Sequence, residues 1–306
     1  MRILVVGAGA TGGYFGGRLA QAGRDVTFLV REGRARTLRE RGLRIVGPGE
    51  ERIAIEPQLV TAGEISGAYD LVLLTVKESG LRAALDDVAP AIGPGTRIMP
   101  FLNGMRHIDL LVDRFGEEAV LGGVAVVIAE LDENGDVLVS GGPGALTYGA
   151  RGGRPDSRVA EVHKALSGAG FGAAWSDAID VAMWSKWVFI ASIGAVNVLG
   201  RGTVGEVATA PGGSALAETA VAEAAAVARE AGFPAHDEDL ERCRAMVTDR
   251  TSSGTSSLFR DLTAGFPVEA EQIFGDLVAR AAKLGVAVPL LDAVTVQLRV
   301  HNARVA

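Results

Sequence analysis

The sequence predicts two domains: an α/β domain built on a parallel sheet, then an all-α domain. Three observations predict this. The first half alternates short, near-continuous apolar runs with helical periodicity, the pattern of strands buried on both faces by crossover helices. The first such run, Met1–Val6, leads directly into Gly7-Ala8-Gly9-Ala10-Thr11-Gly12 and then a helical pattern. From about residue 177 onward the strand pattern stops and long helical periodicities remain. The expected division is therefore 1–176 and 177–306, and a chain of 306 residues is long enough for two cores.

Composition excludes several classes. Hydrophobic content of 48% with 22% charged residues is that of a soluble globular protein. The net charge is −7 with no basic stripe, which argues against nucleic-acid binding. A single cysteine, Cys243, excludes an internal disulfide and a cysteine-based zinc site, and His107, His163, His236 and His301 have no metal-ligand spacing. No signal-peptide pattern is visible. The apolar run Trp187–Gly200 is too short to span a bilayer and is flanked by Lys186. The expected location is the cytoplasm, without membrane attachment. Of 30 basic residues only four are lysine (Lys77, Lys164, Lys186, Lys283). Such a bias suggests that lysine stands where an ammonium able to lose its proton is wanted.

Met1–Val6 reads as the first strand and Gly13 to about Ala22 as the first helix. Strand, glycine turn and helix start make a dinucleotide cradle of the Rossmann type. Gly7 permits the tight turn, Gly9 lets a pyrophosphate approach the backbone, and Gly12 lets the helix pack on the strand. The unpaired N–H groups at the helix start, with Ala8, Ala10 and Thr11 in the same turn, face the phosphates. The plain alternative, a glycine turn without a ligand, does not need this strand–turn–helix context.

Asp25–Val30 is the second strand. Where an acidic residue would hold a ribose 2′-hydroxyl, this strand ends at Arg31, with Arg34 and Arg36 behind it. Arg31 can pair with a 2′-phosphate, so the expected cofactor is NADP(H). The alternative is that Arg31–Arg41 is only a solvated helix face. Leu43–Val46 and Arg52–Ile55 form a hairpin around Gly47-Pro48-Gly49. Tyr69–Val76 is a buried parallel strand with Lys77 at its carboxyl end, where ligands gather in open parallel sheets. A solvated loop lysine is the bland reading.

Glu78–Ile92 reads as a helix stopped by Gly93-Pro94-Gly95, and Thr96–Leu102 as a strand ending in Asn103-Gly104-Met105. The Asn103 amide can orient a nicotinamide or a substrate, although Asn-Gly is also a common turn pair. Ala119–Glu130 and Asp136–Val139 flank a turn at Glu133-Asn134-Gly135. Ala145–Tyr148 adds a strand and Ser157–Leu166 a helix, and Trp175–Asp177 is the expected boundary. The second half reads as helices at Ile179–Gly200, Gly213–Ala231, Asp237–Arg250, Val268–Lys283 and Leu290–Arg304. Their apolar faces suit a buried core or a homodimer interface equally.

Lys186 lies among Met183, Trp184, Trp187, Val188, Phe189 and Ile190. Desolvation there lowers an ammonium's pKa and brings it within reach of proton donation near neutral pH. The alternative is a lysine that snorkels to water over an apolar face. Ser252–Ser257 is rich in hydroxyls, fit for a carboxylate ligand or for ordinary capping. Glu269 and Glu271 follow Pro267 at a helix start, where negative charge is favourable in any protein.

Taken in order, these motifs resemble the ketopantoate reductase (2-dehydropantoate 2-reductase) family over nearly the whole chain. The resemblance rests on Gly7–Gly13, Arg31, Thr75-Val76-Lys77, Asn103-Gly104-Met105, Trp184-Ser185-Lys186-Trp187, and Ser257-Leu258-Phe259-Arg260-Asp261 with Gly265 and Glu269-Ala270-Glu271. It implies that Lys186 is the general acid on the ketone of a 2-oxo acid. It implies that Glu269 helps hold the lysine and substrate, and that Ser257 binds the substrate carboxylate. Asn103 and Lys77 would line the cofactor and substrate site, and Arg31 would take the 2′-phosphate of NADPH. Well-studied members carry asparagine four and eight residues after the lysine, where this chain has Ile190 and Gly194, and their Ser-Met is here Ser257-Leu258. The expected activity is NADPH-dependent reduction of a 2-oxo acid, ketopantoate first. Reduction of a different 2-oxo or 3-oxo acid is the second reading, and a non-catalytic NADP(H)-binding sensor the third.

Overall fold

A computed structural model describes residues 1–47 and 52–305. The chain divides into two compact units, Met1–Leu102 with His107–Ile179, and Asn103–Arg106 with Asp180–Ala306. A four-residue segment after the last strand of the large sheet thus counts with the second unit.

The first unit opens with β1 (Arg2–Val6), α1 (Ala10–Gln21), β2 (Asp25–Leu29), α2 (Glu32–Arg41), β3 (Leu43–Val46) and β4 (Arg52–Ile55). It continues through β5 (Gln58–Val60), β6 (Leu71–Leu74), α3 (Leu81–Val88), β7 (Arg97–Pro100) and α4 (Arg106–Phe115). Its last elements are β8 (Leu121–Val126), β9 (Ala129–Leu131), β10 (Val137–Val139), β11 (Ala145–Ala150), α5 (Ser157–Leu166) and β12 (Gly172–Trp175). The main sheet has the order β5-β2-β1-β6-β7, and all its strand pairs are parallel. Both faces are covered, so Ile3–Val6 and Leu71–Leu74 are apolar without alternation and are buried. The chain leaves β1 toward β2 on one side and returns to β6 on the other, so β1 marks the topological switch point.

A second sheet, β4-β3-β10-β9, packs against α1, and a third runs β12-β11-β8. β3 and β4 pair antiparallel as the sequence suggests, while part of the connecting Gly47-Pro48-Gly49 turn lies outside the described residues. The β9–β10 turn is the expected one. Asp132 accepts from the N–H groups of Asn134 (2.9 Å) and Asp136 (2.8 Å), and Gly135 takes φ +81°.

Several elements differ from expectation. The single helix expected over 78–92 is a 3₁₀ turn (Glu78–Gly80), then α3, then a second 3₁₀ turn (Ala89–Ala91). Pro90 has no N–H to continue the α ladder, so the last turn tightens. The run 119–130 breaks into β8 and β9, which join different sheets. β5, β12 and α4 carry no strong signal: β5 has three residues, β12 is Gly-Ala-Ala-Trp, and α4 buries only His107, Ile108 and Leu111.

Among the described residues every element after α6 (Ile179–Gly200) is helical: α7 (Val204–Thr209), α8 (Gly213–Glu230), α9 (Asp237–Val247), α10 (Ser257–Thr263), a π turn (Glu271–Gly275) running into α11 (Asp276–Leu284), and α12 (Pro289–Val305). A core cluster joins Val196 of α6 with Val207, Ala217, Val221, Cys243 and Val247. α6 extends well before the apolar run that looked too short for a bilayer. At 22 residues it is long and apolar enough to cross one, yet 61% of its most apolar window is buried in the protein, as in a core helix.

Candidate active site

Four expected ligand residues follow the carboxyl ends of four adjacent strands: Gly7 after β1, Arg31 after β2, Lys77 after β6 and Asn103 after β7. The turn after β1 is braced from within. The Gly7 N–H donates to the Leu29 carbonyl (2.9 Å), and the Thr75 hydroxyl lies 2.9 Å from the carbonyls of both Val6 and Gly7. A Cβ on Gly12 would strike the Gly7 carbonyl and Thr75 Oγ1, so only glycine lets α1 sit this close to the strand. A Cβ on Gly9 would meet nothing within 4 Å. Gly9 is also the N-cap of α1, with no side-chain cap on the first-turn amides. An open approach over uncapped N–H groups fits a pyrophosphate.

The arginine run separates by role. Arg34 is half-buried, its Nε donating to the Ala8 carbonyl (3.0 Å) and its NH2 to the Gly135 carbonyl (2.9 Å), and burial lowers its pKa. Arg41 reaches Asp136 at 3.4 Å. Arg34 therefore ties the glycine turn to the β9–β10 hairpin and is spent structurally. Arg31 is exposed at the N-cap of α2, its NH2 3.5 Å from where a Cβ on Gly80 would stand. Lys77 is exposed and N-caps the 3₁₀ turn that contains Gly80. Two cations thus serve the carboxyl ends of β2 and β6. If Arg31 grips a 2′-phosphate, Arg31→Gln weakens NADPH binding roughly 10- to 100-fold, from the loss of a charge-assisted hydrogen bond worth about 1.5–3 kcal/mol, and leaves NADH binding unchanged. Fluorescence titration with both cofactors checks this, and equal losses for the two would remove the role.

In the second unit the residues gather along α6. Lys186 is half-buried with its ammonium enclosed by protein; burial pushes its pKa down to about 8, against the opposing pull of the Glu269 carboxylate. The ammonium is thus enclosed beside a carboxylate and does not extend freely into water. Glu269 and Glu271 divide. Glu271 forms a bidentate pair with Arg299 (2.6 and 2.8 Å), which holds its carboxyl below the usual range. Glu269 stands just before the π turn and acts on Lys186.

The π turn is the support that sequence reading misses. Trp187 Nε1 donates to the Ile273 carbonyl (2.8 Å), and Gln272 Nε2 donates to the Asn103 carbonyl (2.5 Å). Gly104, at φ +75°, lies against the Gln272 carbonyl, where a Cβ would collide. Asn103 is half-buried, and its side-chain amide makes no hydrogen bond among the described residues. The signal that could have been read is the Asn-Gly pair; nothing in the periodicity announces Gln272.

Of the hydroxyl-rich stretch, Ser252 accepts from the Gly254 N–H, Ser256 caps α10 through the Phe259 N–H (3.2 Å), and Ser257 is exposed in the first turn. This segment is tied to α6 at Asn197, whose Oδ1 accepts from the Ser256 N–H (2.8 Å) and whose Nδ2 donates to the Gly202 carbonyl (2.9 Å). Asn197 is thus a buried brace. Among the described residues no group of His, Cys, Asp and Glu is arranged to hold a metal ion.

Comparison with known proteins follows the same two parts. Residues 3–153 match the family described as "Ketopantoate reductase PanE/ApbA", and residues 178–302 match "Ketopantoate reductase PanE/ApbA C terminal". An uncharacterized oxidoreductase of Bacillus subtilis, YkpB, is 33% identical over 303 residues, 99% of each chain. A 2-dehydropantoate 2-reductase of Halobacterium salinarum is 32% identical over 95% of each chain. The solved ternary structure of a D-mandelate dehydrogenase with NADH and anilino(oxo)acetate shares the fold, with a TM-score of 0.89, 23% identity, and coverage of 100% of this chain and 99% of that one.

Proposed function

The chain belongs to the ketopantoate reductase family and is an oxidoreductase; from that premise we propose that it reduces a 2-oxo acid to the 2-hydroxy acid with NADPH, Lys186 serving as general acid. The observation that carries the proposal is the Lys186 ammonium, enclosed, set at about 8 by burial and opposed by Glu269. A protein that only binds the cofactor has no use for such a group. The buried place of α6 supports a core helix and not a membrane span.

When bound, the nicotinamide supplies a hydride to the carbonyl carbon. The residues of this chain do the rest. The Gly7–Gly12 turn, with Ala8, Ala10 and Thr11, takes the pyrophosphate on backbone N–H groups, and Arg31 and Lys77 add positive charge. Ser257 binds the substrate carboxylate, and the Asn103 amide orients the reacting groups. Lys186 donates a proton from Nζ to the ketone oxygen as negative charge develops there, becomes the neutral amine, and regains a proton from solvent. Glu269 favours the ammonium and so keeps the acid loaded. Ketopantoate is the first substrate to try; with Ile190 and Gly194 at the positions one and two turns beyond Lys186, and no amide at either, its Michaelis constant should be high.

The test is NADPH oxidation with a 2-oxo acid across pH. Reduction needs the ammonium, so kcat/KM is flat well below pH 8 and falls as pH rises through about 8. Oxidation of the 2-hydroxy acid with NADP⁺ needs the free amine and rises through the same pH. Profiles that ignore this point in both directions would remove Lys186 as the acid.

A further inference from the structure

Past Lys186, α6 carries only two polar side chains, Ser192 and Asn197. Both are buried and already bonded. The Ser192 hydroxyl donates to the Val188 carbonyl (2.7 Å), and Asn197 holds Gly202 and Ser256 through its two ends. The residues one and two turns beyond Lys186 on its own face are Ile190, half-buried, and Gly194. Gly194 is roofed by the ring of Phe274: a Cβ there would stand 3.1 Å from Cζ and 3.3 Å from Cε2. Phe274 is fully buried, and the π turn that carries it is fixed by the bond from Trp187 to Ile273. A hydrogen-bonding side chain at 194 would need that ring to move. In these two turns the helix face therefore offers a substrate one half-buried aliphatic side chain, Ile190, is closed at the buried Gly194 by the Phe274 ring, and carries no donor or acceptor side chain.

Resting on the reductase reading above, we propose that Ile190, with the buried Phe274 ring filling the space beside Gly194, selects a 2-oxo acid whose C3 substituent is apolar, branched and without a hydroxyl. A hydroxyl carried against Ile190 loses its water and finds no partner among the side chains one and two turns beyond Lys186, a penalty felt in the transition state as well as on binding.

The experiment compares two acids that differ only in that group: ketopantoate, and its deoxy analogue 3,3-dimethyl-2-oxobutanoate. With NADPH saturating, the analogue should show a kcat/KM roughly 10- to 100-fold higher, the range over which an apolar pocket rejects an added hydroxyl. Ile190→Asn supplies an amide to this face and should bring the ratio toward unity by raising ketopantoate and lowering the analogue. Equal values in the unaltered enzyme, or a preference for ketopantoate, overturn the inference while leaving the reductase reading in place. Turnover of neither acid, nor of pyruvate, despite NADPH binding overturns the reductase reading and this inference with it.

Discussion

Lys186→Ala lowers turnover of the 2-oxo acid roughly 10²- to 10⁴-fold, the usual worth of a positioned general acid, and leaves NADPH affinity where it was. The two readouts separate because the groups do. Every proposed phosphate contact lies in the first unit, at the turn after β1, at Arg31 and at Lys77, while Lys186 and Glu269 belong to the second. Removing a partly desolvated ammonium also relieves the protein of a group it is costly to keep charged, so the variant folds at least as well near neutral pH. The lowered pKa fixes the sign: protonated Lys186 is disfavoured in the folded chain relative to the unfolded one, fully below about pH 8, and the penalty fades as pH rises toward its ordinary value of 10.5. Lost turnover with an unchanged melting temperature and unchanged NADPH titration is the expected result. Unchanged turnover would remove the lysine from the chemistry. Glu269→Gln supplies a check that a structural role would not move: without the carboxylate the pH limb of the remaining activity shifts below 8.

What could be read in advance follows the physics of burial. Parallel strands covered on both faces must be apolar throughout, so Met1–Val6 and Tyr69–Val76 stand out in any reading. β5 and β12 are short and half-covered, and their side chains carry no such demand. The setting of Lys186 is local and therefore legible: six large apolar neighbours within four residues desolvate it. Its counter-charge is not legible. Glu269 and Glu271 look alike at a helix start, and what separates them is a π turn and Arg299, 28 residues beyond Glu271. Periodicity cannot reveal either. The same holds for Arg34 and Arg31. They share one arginine-rich run, yet only a hairpin a hundred residues away consumes the first and leaves the second exposed. Phe274 is the plainest case: on a sequence Gly194 reads as a missing side chain, and in the fold it is the seat of a ring.

The same logic, a glycine judged by what its missing side chain would meet, makes Gly9 and Gly12 opposite tests of one turn. Gly9→Val should cost about 10³-fold in NADPH affinity, the loss of two or three hydrogen bonds to charged phosphate at about 1.5–3 kcal/mol each. It should leave the melting temperature of the cofactor-free protein unchanged. Gly9 has φ −79°, which any residue adopts, and its Cβ points into open space. The new side chain therefore branches from open space and obstructs what comes to the uncapped start of α1. Gly12→Ala should do the reverse first. Its Cβ lands on the Gly7 carbonyl and Thr75 Oγ1, which are held in place by the bonds that close the turn. Overpacking of this kind costs about 1–3 kcal/mol, or a fall of several degrees in melting temperature for a protein of this size, and any loss of NADPH binding follows from the displaced turn. Gly12 is needed to build the turn and Gly9 to leave it open. A Gly9→Val protein that binds NADPH normally would mean that the phosphates approach elsewhere. One that melts early would mean that the open space beside Gly9 is filled by the protein itself.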